Sequence, residues 1–143
     1  MPWGDKGNVI KVGVCRQIFI HSRYFYIRLV IYFYDFIQRV GLTEEAARAR
    51  GFDVATGMAD LSFNARAIVV GARQGLIKVV ADREIGQVLG VHAAGPGSSE
   101  VITVASTIMQ AEIPLADLAA LVTWHPGVTE GLVEAARRAL AGR

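Results

Sequence analysis

From residue 41 onward, apolar and polar positions fall into short runs of readable period. GLTEEAARARG (41–51) predicts a short helix. Thr43 is the expected N-cap, Glu44 and Glu45 suit the positive end of the helix dipole, and Gly51 is the expected stop. The next run, FDVATGMADLSFNARAIVV, predicts extended chain with breaks. Residues 76–81 and 87–94 predict a hairpin around the turn formers from Asp82 to Gly86, with Val88, Leu89 and Val91 on a mostly buried strand. The spacing then changes to a helical one. Val101, Ala105, Ile108 and Met109 share a face at i, i+4, i+7 and i+8, with Ser98 or Ser99 as the expected cap and Glu100 in the first turn. PLADLAALV predicts a short apolar helix opened by Pro114. GVTEGLVEAARRAL predicts a last helix with a stripe of Val128, Leu132, Ala136 and Ala139 or Leu140, and a Glu134–Arg138 pair at i, i+4. This order of elements predicts an α+β class with an antiparallel sheet.

Residues 1–40 read differently. RQIFIHSRYFYIRLVIYFYDFI is dense in Ile, Phe and Tyr, has no helical stripe, and predicts one or two strands. Charge marks the same division: residues 1–40 hold six Lys/Arg and two Asp/Glu, whereas residues 41–143 hold nine and eleven. We therefore expect an extended, aromatic-rich extension over 1–39 and a domain over 40–143.

The 143 residues suffice for one ordinary domain. A hydrophobic fraction of 52% and a mean hydropathy of +0.36 are high for so short a chain, and surplus apolar surface signals a partner. The net charge of +2 gives no reason to expect a nucleic-acid partner. Arg23, Arg28 and Asp35 interrupt the most apolar region, so no membrane span is expected. Cys15 is the only cysteine, which excludes an internal disulfide or dithiol and fits a reducing compartment such as the cytoplasm.

One stretch carries candidate chemistry: TWHPGVTE, residues 123–130. Pro126 restricts the backbone of His125, so the imidazole is presented rigidly, as a general base requires. Glu130 falls in the first turn of the last helix, where the dipole favours the carboxylate. A carboxylate there could hold one ring nitrogen and leave the other free for a proton. On spacing alone, a plain turn histidine followed by a helix-start glutamate is the favoured reading. His92 on its strand reads as structural and His21 as incidental; the three histidines lack metal-ligand spacing, so no metal is expected. Neither GxGxxG nor a phosphate-loop motif occurs, and GPGSSE reads as a tight strand-to-helix turn. Trp124 reads as core or interface.

Taken in order, VGLTEEAARARG, NARA, GLIKVVADREIGQVLGVHAAGPGSSEVI and HPGVTE resemble the C-terminal dimerisation domain of the flavin-dependent pyridine nucleotide-disulfide oxidoreductases, with dihydrolipoamide dehydrogenase the nearest member. The resemblance covers residues 40 to 141. It implies an antiparallel sheet of about four to five strands packed against helices, and a homodimer. It also implies that His125 moves the proton of a substrate or active-site thiol in the partner subunit, that Glu130 orients it, and that the His125–Pro126 backbone approaches the partner's flavin. Family members use FAD and NAD(P), carried by domains whose motifs this chain lacks. No tightly bound cofactor is therefore expected here, and the missing flavin and nucleotide domains become candidate partners. The family usually has Thr where this chain has Gly127, and a proline-containing turn where it has FYDFIQR. Three expectations stand: a flavoenzyme part carrying the His–Glu pair, inactive in isolation; a stand-alone homodimerisation module with an interface around Leu132, Val133 and Ala136; or a truncated remnant.

Overall fold

The computed structural model describes residues 37–142 in full, together with the backbone of residues 19–22 and 25–28. Cys15 and most of the 1–39 segment lie outside the described residues, as does the His21 side chain. Strands β1 (Phe19–Ser22) and β2 (Phe25–Arg28) pair antiparallel, with Phe19 opposite Arg28. The main sheet has four antiparallel strands: β3 (Ile37–Gly41), β4 (Val54–Asp60), β5 (Leu76–Asp82) and β6 (Val88–Ala94), in the order β3-β6-β5-β4. Helix α1 (Glu44–Ala49) follows β3, α2 (Ala65–Val69) follows β4, and α3 (Ser98–Gln110), α4 (Leu115–Ala120) and α5 (Glu130–Ala141) close the chain. The class is α+β, as the periodicity predicts. The sheet starts at Ile37, so it takes in residues 37–39.

Two clusters account for the core. On one face of the sheet, Val40, Val91, Val79 and Ile77 meet Val101, Ala105 and Ile108 of α3, Leu115 and Leu118 of α4, and Leu132 and Ala136 of α5. A smaller cluster of Leu42, Ala47, Val54, Val80 and Leu89 sits under α1. Leu132, Val133 and Ala136 are buried within the chain. They cannot form the self-association surface expected of them: the apolar stripe of α5 is used up against the sheet and α4.

Local chemistry explains the element ends. The Thr43 hydroxyl accepts from the Ala46 N–H and caps α1, and Gly51 follows the helix with φ +86°. The run 52–70 corrects the extended reading, for only Val54–Asp60 is strand. A 3-10 turn (Leu61–Phe63) and α2 follow it. Asp60 accepts from the Ser62 N–H and Asn64 from the Ala67 N–H, and these two side-chain caps turn an apolar run into helix. The expected serine cap of α3 is also corrected. Gly97, at φ +76°, takes the N-cap position without a side-chain bond, while Ser98 is buried in the first turn. The hairpin turn is tied by Asp82, whose carboxylate accepts from the Glu84 and Ile85 N–H groups.

Helix α5 lies against β4 at Gly57. A Cβ there would sit 2.0 Å from the Ala135 carbonyl oxygen and 2.3 Å from the Ala139 nitrogen. The obstruction is backbone, so no rotamer change relieves it. We predict that Gly57→Ala lowers unfolding stability by about 1–3 kcal/mol or more, read as a lower urea midpoint. An unchanged midpoint would show that α5 does not depend on this contact.

Candidate functional site

The turn between α4 and α5 carries the predicted residues, and the structure brings them together. The His125–Pro126 bond is cis. Glu130, the first residue of α5, reaches back over the turn with both oxygens engaged. Its Oε1 lies 2.8 Å from His125 Nδ1, and its Oε2 accepts the Gly127 N–H at 2.9 Å. An ionised carboxylate only accepts, so Nδ1 carries a proton in this contact, and in the neutral ring the lone pair is then on Nε2. The His125 side chain is 71% exposed, and no described residue is bonded to Nε2. The Gly127 N–H holds Glu130 below the ordinary carboxylate range, and the bond to His125 adds to this against a small opposing effect of burial.

The like-charge neighbour is neutralised separately, since Glu134 binds Arg138 Nε at 2.8 Å. Beneath Glu130 lies a cleft of about 350 Å³, lined in part by Asp60, Phe63, Asn64, Glu130 and Arg137. Its lining includes neither His125 nor Pro126. Exposed apolar residues stand in the turn and in the cleft beside Glu130: Trp124 is 83% exposed and Val122 92%, and Phe63 of the cleft is also open. Trp124 is thus not a core residue, and apolar exposure on this scale marks an association surface.

His92 stands apart, half-buried on β6, with Nε2 donating to the Leu42 carbonyl at 3.0 Å. Burial depresses its pKa, so it is a neutral structural group, as its place on a strand predicts. Among the described residues no cluster of His, Cys, Asp or Glu could hold a metal, and no helix is long and apolar enough to cross a membrane. One contributor escaped the sequence reading. Asn64 Nδ2 donates to the Gly127 carbonyl at 3.0 Å. Its helix-capping half could have been found from an Asn placed before ARAIV, but its reach to a residue 63 positions away could not.

The model of the pyridine nucleotide-disulphide oxidoreductase dimerisation domain matches residues 27–136. The chain belongs to this family. This dimerisation domain is 42% identical over 97 residues to a dihydrolipoyl dehydrogenase of Thermus scotoductus, covering 68% of this chain and 21% of that protein. It is 38% identical over 104 residues to the dihydrolipoyl dehydrogenase of Halobacterium salinarum, covering 73% and 22%. The chain therefore spans about a fifth of the length of these relatives. Among solved structures, LpdA of Mycobacterium tuberculosis superposes with a TM-score of 0.65 at 31% identity over 71% of this chain and 22% of that one. The HOCl-induced flavoprotein disulfide reductase RclA of Escherichia coli superposes with a TM-score of 0.67 at 29% identity, covering 71% and 23%.

The depressed pKa of Glu130 makes a pH prediction. A carboxyl group whose folded pKa lies below its unfolded value stabilises the fold fully above the unfolded value, and this contribution is lost as pH falls through the folded one. Glu130→Gln should therefore cost about 0.5–1 kcal/mol at neutral pH, a modest figure because solvent screens the site. The gap between wild type and variant should close in acid, below the ordinary value of 4.5. Urea midpoints of both proteins across this range check it; a gap independent of pH would exclude the charged carboxylate as its source.

Proposed function

We propose that this dimerisation domain serves a dihydrolipoamide dehydrogenase-like disulfide oxidoreductase, with His125 as the proton-transfer group at a thiol and Glu130 as its orienting partner. The observation that carries the reading is the doubly bound Glu130, which fixes the Nδ1–H tautomer of His125 and leaves Nε2 open. A base in this state takes the proton of a thiol at Nε2, releasing the thiolate needed for disulfide exchange, and returns it in the reverse direction. Because the imidazole faces outward, its thiol lies on another surface. The exposed Val122 and Trp124 beside it support a homodimer in which the partner supplies that surface.

FAD and NAD(P) belong to this reading through domains outside this chain. The 124–127 turn offers a contact edge for His125 and Pro126, not a cradle, because the neighbouring cleft excludes both. A backbone approach of His125 and Pro126 to a flavin of the partner subunit belongs to this reading as an edge contact, and no step is routed through the flavin. The single cysteine supports a reducing compartment, and we place the protein in the cytoplasm. The division into an extension over 1–39 and a domain over 40–143 belongs to the same reading, supported by the charge contrast between the two segments.

A second reading is a self-association module without catalysis, favoured by the same exposed apolar residues. One experiment separates the two. The purified chain is combined with separately expressed flavin-, nucleotide- and redox-cysteine-bearing domains of the Thermus scotoductus relative, and dihydrolipoamide oxidation is followed. The proposal expects activity that falls about 10²–10⁴-fold with His125→Ala, while dimerisation by sedimentation is unchanged. A folded, dimeric chain that restores no activity would leave only the association module.

A further inference from the structure

Glu130 orients His125, and a second contact fixes the turn on which that geometry depends. Gly127 lies between Pro126 and α5, and both of its backbone polar groups are bonded. Its N–H goes to Glu130 Oε2 at 2.9 Å and its carbonyl accepts from Asn64 Nδ2 at 3.0 Å. Asn64 is itself buried, at 8% exposure, and its Oδ1 is committed to the Ala67 N–H at 3.0 Å. Both ends of its amide are thus in use, one capping α2 and one holding the turn. We propose that Asn64 is a positioning residue for the His125–Glu130 pair, acting through Gly127. Its side-chain hydrogen bonds go to Gly127 and Ala67, not to either member of the pair. The inference rests on the reading of that pair as the proton-transfer group.

The chemistry explains why asparagine stands here. The position needs an acceptor for a helix N-terminal N–H and a donor for a carbonyl, on a side chain short enough to cap. Aspartate caps as well as asparagine but has no donor when ionised, and it would set a carboxylate against the Gly127 carbonyl. Serine caps too, with a hydroxyl too short to span to the turn. Without Asn64 the Gly127 carbonyl keeps only the long 3.4 Å bond from the Glu130 backbone N–H, so the Gly127–Val128 peptide is less firmly held, and rotation about the Gly127 Cα turns the adjoining Pro126–Gly127 peptide whose N–H goes to Glu130. Glu130 then loses the bond that fixes Oε2, and Oε1 no longer selects one nitrogen of the ring.

The test is the tautomer of His125 in the full chain, read from long-range proton–nitrogen correlations of ¹⁵N-histidine-labelled protein above the pH of imidazole titration. Wild type should show His125 predominantly as the Nδ1–H form. Asn64→Asp should shift its tautomer ratio by about fivefold toward Nε2–H, the worth of one ordinary hydrogen bond. His92, held through Nε2–H by the Leu42 carbonyl, is the internal control and should not move. If Asn64→Asp disturbs His92, the fold has been affected, and Asn64→Ser supplies the same reading with the cap kept and the charge absent. A His125 ratio unchanged from wild type in a variant with an intact His92 signal would overturn the positioning role. A shifted ratio with no loss of complemented activity would overturn the proton-transfer reading instead, so the two failures are distinguishable.

Discussion

The close seating of α5 on the sheet sets where everything else in this domain can be. Gly57 removes the side chain that would separate helix and strand, and Ala135, Ala136 and Ala139 keep the helix surface low along the contact. Gly131 continues this surface at the first turn, where a Cβ would meet Ile77 Cδ1 at 2.8 Å. Packing of this kind gains contact over many atoms and leaves little freedom to slide. The first residue of α5 is Glu130, so the register that seats the helix also places the carboxylate beside the α4–α5 turn. The geometry of the His125–Glu130 pair is in this sense a consequence of core packing.

At the helix start, two hydrogen bonds favour the same protonation state. The Gly127 N–H and the His125 Nδ1–H stabilise a negative charge on Glu130. That charge selects the Nδ1–H tautomer of His125, and the tautomer aims the basic nitrogen into solvent. Arg138 is spent on Glu134 and on the Met58 carbonyl, and Lys78 and Arg48 on Glu44.

Much of this was legible in the chain, and what was not has definite causes. Helix α1 was readable because its signals are local: a Thr cap, two glutamates and a closing Gly51. The same holds for the stripe of α3 and for the β5–β6 hairpin, whose periods survive in sequence. The 61–70 segment was misread because apolar content resembled strand, while the capping bonds of Asp60 and Asn64 decided for helix. The cap of α3 was misread because serine is the statistical favourite, whereas the chain needed a left-handed residue at Gly97 against Val128. The faces of α5 were assigned correctly as apolar, but periodicity cannot say whether an apolar stripe meets its own sheet or another chain. Spacing alone favours an unpaired turn histidine, and only the ordered motifs around HPGVTE bring His125 and Glu130 together in sequence; Asn64 joins them only through folding of the intervening chain.

On the proposed reading, the arrangement is half of a site. A base that is 71% exposed would work in water, where its interactions with a developing charge are weak. Covering the turn with a second surface would expel that water and strengthen every polar interaction around Nε2 without moving any atom of the pair. Trp124 and Val122, one and three residues before His125, are exposed apolar groups whose burial would favour such covering. On that reading, association and proton transfer are linked, because the exposed apolar residues that would drive the surfaces together are sequence neighbours of the residue whose chemistry would depend on their meeting.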